Sequence, residues 1–318
     1  WKEHKNKLNR GKHDNKYLKQ IYNGNYVKTV VLHNQEISFL YDECFVNNEN
    51  SNIVIKDDPN KMFELDSLIK NNYTAIMRAH KGSYIRNIET IRLDGYSLDS
   101  NTLTLSTSRS TYYNHLLTNR AIDYEIEKEL SIRKIFEYGP LLNPFEISKM
   151  SNHIGINGLV LLNDGYTILP RRGEKATYSK NKITASIAAP LISGNIYEES
   201  SRKQLTTDAL EKEIIKLLKR RLYIDVDTLT ESSVEVIFLG FGREVYEGGK
   251  PQFYYLIKLK SVSSSDYIKL LKDKKKEIKK NKAIDKDSHL FVCNLASLKV
   301  KKNYSGSIEC MNYYTKKV

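Results

Sequence analysis

The stretch TTDALEKEIIKLLKRRLY, residues 206–223, carries the clearest secondary-structure signal in the chain. Its apolar residues recur at the i, i+4, i+7, i+8 and i+12 spacing of an amphipathic α-helix: Leu210, Ile214, Leu217, Leu218 and Leu222. Thr207 or Asp208 can cap the start of this helix, because each has a side-chain oxygen for the free N–H groups of the first turn. The pattern predicts a helix that buries one apolar stripe and exposes a lysine-rich face.

Two strands are predicted before this helix. GINGLVLLNDGYTILPRRG, from Gly155 to Gly173, has an apolar run, an Asn-Asp-Gly turn at 163–165 and then an alternating pattern. A glycine turn follows in SGNIYEES, from Ser193 to Ser200. Strand, glycine loop and amphipathic helix together resemble the Nudix box. In active Nudix hydrolases the helix of this box presents glutamates that hold magnesium against a diphosphate.

On this resemblance Gly194 matches the glycine of the box and Glu213 matches its first glutamate, although their spacing exceeds the family spacing. The positions expected to carry the partner glutamates are Lys216 and Leu217, which cannot ligate a metal. Magnesium prefers oxygen ligands, and one glutamate beside an ammonium group makes a poor site, whereas the lysine can attract phosphate itself. The resemblance therefore implies a degenerate Nudix-like domain without catalytic residues, metal or cofactor. Taken alone, such a segment is more often an ordinary core helix with a solvated face.

Two further strings extend the resemblance. SRSTYYNHLLTNRAIDYEI (Ser108–Ile126) and GREVYEGGKPQFYYLIKL (Gly242–Leu259) resemble Nudix-like domains associated with bacterial nucleotidyltransferases of the CD-NTase (SMODS) type. The resemblance covers about residues 105–262. Such domains occur in effectors of the cyclic-oligonucleotide antiphage system, CBASS, attached to short N-terminal transmembrane segments. The chain therefore looks like the soluble part of a membrane-Nudix effector, and its start at Trp1 is compatible with a missing anchor.

The resemblance implies a sensor that binds a cyclic nucleotide made by a CD-NTase, most simply a cyclic dinucleotide. It also implies a homo-oligomer at the bacterial inner membrane, with this domain facing the cytoplasm. Arginines can grip phosphate in a bidentate fashion, and tyrosine rings can stack on bases. The candidate ligand-binding residues are Arg109, Tyr112, Tyr113, Asn119, Arg120, Arg171, Arg172, Lys216, Arg243 and Lys250. For each of them a surface cation or a packing tyrosine remains the alternative.

Other functions are less well supported by the sequence. A working Nudix hydrolase could draw metal ligands from Glu198, Glu199, Glu211 and Glu213. A net charge of +13 invites a polyanion, but lysine, asparagine, isoleucine and tyrosine are abundant together, as A+T-rich codon usage would produce, so we do not expect a nucleic-acid partner. His115 and His153 lack an accompanying nucleophile motif. The three cysteines show no paired spacing, which argues against a disulfide framework or a zinc site.

The expected fold class is α+β, a Nudix-like α/β/α sandwich with a mixed sheet and a small N-terminal β-rich portion. We divide the chain into a basic linker (1–27), the β-rich portion (28–106), the Nudix-like domain (107–302) and a C-terminal tail (303–318). Helices are predicted at 109–131, 145–153, 206–223 and 264–280, and strands at 157–163, 166–170, 183–190, 233–241, 253–261 and 289–299. No run of the chain approaches the roughly 18 to 20 apolar residues of a membrane-spanning helix.

Overall fold

A computed structural model describes residues 15–22, 24–32, 35–48, 51–80, 85–174, 176, 181–193, 204–225, 233–276 and 289–294. Their fold is α+β with mixed sheets, which confirms the predicted fold class. The helices are α1 (Asn15–Ile21), α2 (Ser67–Asn71), α3 (Tyr73–Ala79), α4 (Tyr112–Leu117), α5 (Ile132–Phe136), α6 (Thr207–Leu222) and α7 (Ser264–Asp273). The strands are β1 (Val27–Leu32), β2 (Gln35–Val46), β3 (Asn52–Met62), β4 (Glu89–Asp99), β5 (Thr102–Thr111), β6 (Glu125–Glu127), β7 (Leu130–Ser131), β8 (Gly155–Leu162), β9 (Tyr166–Arg171), β10 (Ile187–Pro190), β11 (Val234–Glu244), β12 (Lys250–Leu259) and β13 (His289–Asn294).

The main sheet has the strand order β1-β2-β11-β12-β8-β9-β13, with β10 also paired to β8. Strands β8 and β12 run parallel, and the other pairs of this sheet are antiparallel. Because β2 pairs with β11, the first strands of the chain lie in the same sheet as the predicted Nudix-like segment. The boundary predicted between residues 106 and 107 falls inside β5.

A second sheet, ordered β3-β5-β4, and helix α6 share one core with the main sheet. The whole predicted apolar stripe of α6 is buried: Leu210, Ile214, Leu217, Leu218 and Leu222. Burying each such side chain contributes roughly 1.5 to 3 kcal/mol, which makes this stripe a main attachment of the helix. The predicted cap is wrong by one residue, because the side chain of Thr206 accepts the hydrogen bond from the backbone N–H of Ala209.

Two predicted helices are wrong. In place of a helix over 109–131, strand β5 runs to Thr111, and the helical residues that follow are α4 and a 3-10 turn, Asn119–Ala121. Serine, threonine and tyrosine are weak helix formers, and β4 offers β5 a long antiparallel partner, so pairing wins. Residues 145–153 form turns, with a β-bridge at His153 to Arg92.

Some predictions fall on residues outside those described. These are residues 1–14 of the basic linker, the tail at 303–318, the continuation of α7 to 280 and that of β13 to 299. Gly194, Glu198 and Glu199 of the degenerate box also lie there.

Candidate ligand-binding cleft

A cleft with about 620 Å³ of open space lies where strands β8 and β12 begin, bordered by β10, α4 and the end of β11. Because β8 and β12 run parallel, their first residues reach the same edge of the sheet. Four of the predicted ligand-binding residues line the cleft: Tyr112, Arg120, Arg172 and Lys250. The fold therefore brings together side chains from three distant segments of the chain.

Three cations line the cleft. Arg120 and Lys250 both lie beside the carboxylate of Glu247, at 3.5 and 3.7 Å. Arg172 donates to the backbone carbonyl oxygen of Ala188 at 3.4 Å.

Helix α6 adds a positive charge, that of Arg221, near Arg172. Burial, followed by the neighbouring charges of Arg220 and Arg172, lowers the pKa of Arg221 to about 10. Tyr112 is close enough to oppose this shift of the pKa.

An aromatic wall lines another part of the cleft. The rings of His115 and His153 stack with their centroids 3.9 Å apart, and the ring of Tyr112 lies 5.9 Å from that of His153 in a stacked orientation. Burial, followed by the charge of Lys250, lowers the pKa of His115 to about 3. Burial and the charge of His115 likewise hold the pKa of His153 well below 6.5. Both rings are therefore neutral near pH 7, and the Nδ1 atom of each is buried without a hydrogen-bond partner.

Two buried carboxyl groups, those of Glu244 and Glu247, are the acidic groups that line the cleft. Burial, followed by the charge of Glu247, raises the pKa of Glu244. Burial alone would raise the pKa of Glu247 too, but Lys250 is the strongest of several positive neighbours that together lower it. The environment thus separates the two groups, so that Glu247 carries the negative charge more readily than Glu244.

A chain of side-chain amides leads to Glu244. Asn157 in β8 donates from Nδ2 to Oε1 of Gln252 in β12, at 2.9 Å. Gln252 lies close enough to Glu244 to influence the pKa of that carboxyl group, and the Oε2 atom of Glu244 is buried without a hydrogen-bond partner. A Cβ atom at Gly155 would overlap Oε1 of Gln252, so a glycine at the start of β8 is needed for this arrangement.

Buried hydrogen bonds hold the backbone that carries Glu247. Arg133 is fully buried, pairs with Asp123, and donates to the carbonyl oxygens of Val245 and Tyr246 at 2.8 and 3.0 Å. Asn119, a predicted ligand-binding residue, is buried and donates to the carbonyl oxygen of Glu247 at 2.9 Å. The side-chain amide of Asn119 therefore helps to position the backbone at Glu247, which lines the cleft.

The structure places the other predicted residues elsewhere. Arg109 is fully buried in an ion pair with Asp57 at 2.7 Å. Arg243 is buried, with its guanidinium 4.4 Å above the ring of Phe145 and 2.7 Å from the carbonyl oxygen of Asn143. Tyr113, Arg171 and Lys216 are described residues that do not line the cleft. Arg171 and Lys216 are exposed.

The remaining described residues of the degenerate box also lie outside the cleft lining. Glu213 is buried, with Arg220 at 3.6 Å, and Leu217 belongs to the core. Lining residues that the sequence did not single out include Asn157, Glu244, Glu247 and Gln252. A signal for two of them was present, because Asn157 interrupts the apolar run of β8 and Gln252 directly precedes the apolar run of β12.

Within the described part of the chain, no three His, Cys, Asp or Glu side chains lie close enough together to hold a metal ion. A helix with the length and apolar character needed to cross a membrane is also absent from those residues.

Comparison with protein-family models finds no match, and comparison with curated proteins finds none either. Solved structures similar to the chain include that of DR0079 from Deinococcus radiodurans, with 14% sequence identity and a TM-score of 0.25. The match covers 35% of this chain and 57% of that chain, so this chain spans little more than half of its length. A likeness of this strength carries no argument about fold or function.

Proposed function

We propose that the cleft binds a nucleotide without cutting it. The observation that carries this proposal is that three buried polar atoms of the cleft have no hydrogen-bond partner: Nδ1 of His115, Nδ1 of His153 and Oε2 of Glu244. Leaving one such atom unsatisfied costs roughly 1 to 3 kcal/mol, and a bound ligand is one of the usual partners of such groups.

The character of the walls supports a nucleotide as the ligand. Arg172, with Arg221 nearby, offers donors for a phosphate, and a guanidinium can bind phosphate oxygens in a bidentate way. The stacked rings of Tyr112 and His153 offer an apolar face for a base. In this proposal the phosphate lies beside Arg172, away from the carboxyl groups of Glu244 and Glu247.

The resemblance to CBASS effectors suggests the biological role. In this proposal the ligand is a cyclic oligonucleotide, most simply a cyclic dinucleotide, made by a CD-NTase. The domain is the sensor of a membrane-anchored antiphage effector at the bacterial inner membrane and faces the cytoplasm. Binding favours self-association, which requires that the ligand bind the associated form more tightly. Sedimentation velocity with and without ligand measures that step, and an unchanged sedimentation coefficient at saturation would contradict it.

Calorimetry with a panel of cyclic dinucleotides and trinucleotides, in buffer containing EDTA, tests the binding proposal. At least one of them should bind in the low micromolar range or tighter. Arg172→Gln should weaken that binding about tenfold to a hundredfold, because it removes charged hydrogen bonds to phosphate. The matched control is Arg171→Gln, because Arg171 is the preceding residue, is exposed and does not line the cleft. Absence of binding by every compound at tens of micromolar would overturn the proposal.

A metal-dependent hydrolase of nucleoside diphosphate derivatives is the second candidate. The observation in its favour is the pair of buried carboxyl groups in the cleft, Glu244 and Glu247, whose pKa values are displaced in opposite directions. Magnesium-dependent release of phosphate or a mononucleotide, abolished by Glu247→Gln, would favour this candidate over the sensor. Intact cyclic ligand recovered after prolonged incubation with magnesium would count against it.

A further inference from the structure

We propose that Tyr22 and Arg133 are positioning residues that couple helix α1 to the ligand-binding cleft. The coupling rests on the proposed nucleotide binding and gives it a route to the N-terminal side of the chain. Both residues are buried, and neither lines the cleft. Any effect that they have on a ligand must therefore pass through other residues.

The guanidinium group of Arg133 is the centre of this route. Arg133 makes five hydrogen bonds, one for each N–H of an arginine side chain. Nε and Nη2 donate to the carboxylate of Asp123 at 2.6 and 3.1 Å. The other three bonds go to the hydroxyl of Tyr22 and to the carbonyl oxygens of Val245 and Tyr246, at 3.0, 2.8 and 3.0 Å. Because a guanidinium is planar and rigid, it holds these acceptors in a fixed arrangement.

Tyr22 attaches this group to helix α1. Its backbone N–H donates to the carbonyl oxygen of Leu18, in the last turn of the helix, at 3.0 Å. Its hydroxyl accepts from Arg133 and donates to the carbonyl oxygen of Glu137. The guanidinium of Arg133 also lies 5.7 Å from the centre of the Tyr22 ring. The side chains of Leu18, Tyr22 and Val245 belong to one hydrophobic cluster, so helix α1 is attached to both Arg133 and Val245.

A 3-10 turn, Val245–Glu247, carries the coupling into the cleft. This turn lies between β11 and β12, and its last residue lines the cleft. Arg133 binds the carbonyl oxygens of its first two residues. The carboxylate of Glu247 in turn lies beside Arg120 and Lys250, two cations of the cleft. The bonds of Arg133 therefore help to determine where these three charged side chains stand.

Coupling of this kind acts in both directions. A ligand that binds better to one position of the 245–247 turn also favours the position of α1 that accompanies it, because energetic coupling between two sites is reciprocal. The proposed effector joins its membrane segment on the N-terminal side, and α1 is the described helix nearest to that side. A shift of α1 is therefore a signal that the proposed sensor can use.

Hydrogen–deuterium exchange tests the coupling without a ligand. Tyr22→Phe removes the hydroxyl but keeps the ring, so one N–H of Arg133 loses its acceptor. The amides of Gly248 and Gly249, which are hydrogen-bonded to the carbonyl oxygens of the turn and of the residue before it, should exchange about threefold to thirtyfold faster. Mass spectrometry of the peptide that spans 245–250 measures this change. Unchanged exchange of this peptide would overturn the inference.

Tyr26→Phe is the matched control. Tyr26 belongs to the same hydrophobic cluster as Tyr22, but its hydroxyl accepts from the backbone N–H of Leu142 at 3.1 Å, so its hydrogen bond leads to a different loop. Exchange of the 245–250 peptide should remain as in wild type in this variant. Equal acceleration in Tyr22→Phe and Tyr26→Phe would show a general loosening of the cluster, and would overturn the specific route through Arg133.

Ligand binding gives a second test. A cyclic dinucleotide that binds wild type in the calorimetric panel should bind Tyr22→Phe about threefold to thirtyfold more weakly, although Tyr22 does not line the cleft. By reciprocity the same compound should slow the exchange of the Tyr22 amide at the end of α1. Wild-type affinity in Tyr22→Phe, or protection confined to the cleft, would overturn the inference. If no compound of the panel binds, the proposed function fails, while exchange in the unliganded variants still decides the coupling.

Discussion

Two groups of buried charges in this protein differ in whether their hydrogen bonds are complete. In the first, which we call the Asp57 clasp, Oδ1 of Asp57 accepts from Thr107 and Arg109, and Oδ2 accepts from Arg109 and from the backbone N–H of Leu205, all at 2.7 to 2.8 Å. In the cleft, Oε2 of Glu244 is buried without a partner. The comparison shows that two buried carboxylates of one fold differ in how far their hydrogen bonds are completed, and an unsatisfied group beside a cleft is a candidate contact for a ligand.

The physical basis of the difference is the cost of desolvation. A buried carboxylate loses its hydration, and only good hydrogen bonds offset that loss. Burial would raise the pKa of Asp57, but its bonds to Arg109, Thr107 and Leu205 outweigh burial and lower it. The pKa of Glu244 is raised because its compensation is incomplete. The clasp therefore stabilises the fold, while the cleft retains groups that a ligand can satisfy.

Breaking the clasp should have the largest effect. Arg109→Met leaves Asp57 buried without its cation and should lower the free energy of unfolding by about 3 to 5 kcal/mol. Urea denaturation followed by circular dichroism measures the change. The same replacement in the cleft, Arg172→Met, should change that free energy by less than about 1 kcal/mol, because Arg172 is half-buried. Equal losses in the two variants would remove the distinction between clasp and cleft.

The histidines give the next largest effect, which depends on pH. Burial lowers the pKa of His115 to about 3 and that of His80 to about 4, whereas both titrate near 6.5 when unfolded. Between pH 6.5 and these values the unfolded chain binds protons that the folded chain does not. Their contribution to stability is therefore complete above pH 6.5 and is lost as the pH falls through this window, by up to about 1.4 kcal/mol per pH unit for each group.

His115→Phe isolates one of these groups, since the replacement keeps an aromatic ring beside His153 but cannot titrate. The free energy of unfolding of this variant should depend less steeply on pH than that of wild type between pH 6.5 and 4. Burial raises the pKa of Glu137 and Asp42, and these carboxyls oppose the trend as they take up protons, so the difference between the two proteins is the informative quantity. Parallel curves would show that the imidazole is not held neutral.

The smallest effect concerns the start of α6. The Asp57 clasp is connected to this region because Asp57 accepts a hydrogen bond from the backbone N–H of Leu205. Thr206→Ala removes the cap at Ala209 and should cost about 1 kcal/mol of unfolding free energy. Thr207→Ala is the control, because Thr207 is exposed in the first turn and was one of the two caps that the sequence predicted, the other being Asp208. A larger loss for Thr207→Ala than for Thr206→Ala would contradict the observed cap. Thermal denaturation in parallel measures both.

Much of the fold could be predicted because its signals are local. The five buried positions of α6 follow from helical periodicity, and β8 and β9 follow from apolar runs around an Asn-Asp-Gly turn. The predicted helix over 109–131 could not be rejected from the local sequence, because the pairing of β5 with β4 involves residues distant in the chain and overrides local propensity. The predicted cap was wrong by one residue because three successive residues, Thr206 to Asp208, can each accept a hydrogen bond from a backbone N–H.

The candidate site could be predicted only in part. The choice of arginine, lysine and tyrosine near unusual strings selected Tyr112, Arg120, Arg172 and Lys250, which do share a cleft. The same criterion selected Arg109 and Arg243, whose partners Asp57 and Asn143 lie far away in the chain. An arginine buried against distant partners and an arginine that lines a cleft cannot be distinguished by residue type alone.

The sequence by itself determined the α+β class and the apolar face of α6, because periodicity within one element depends only on neighbouring residues. The tertiary structure alone decided which polar groups meet and which remain unsatisfied. The parallel pairing of β8 with β12 sets Asn157 beside Gln252, and the end of β11 adds Glu244. Such an arrangement depends on strand order and register between distant segments, which no local pattern encodes.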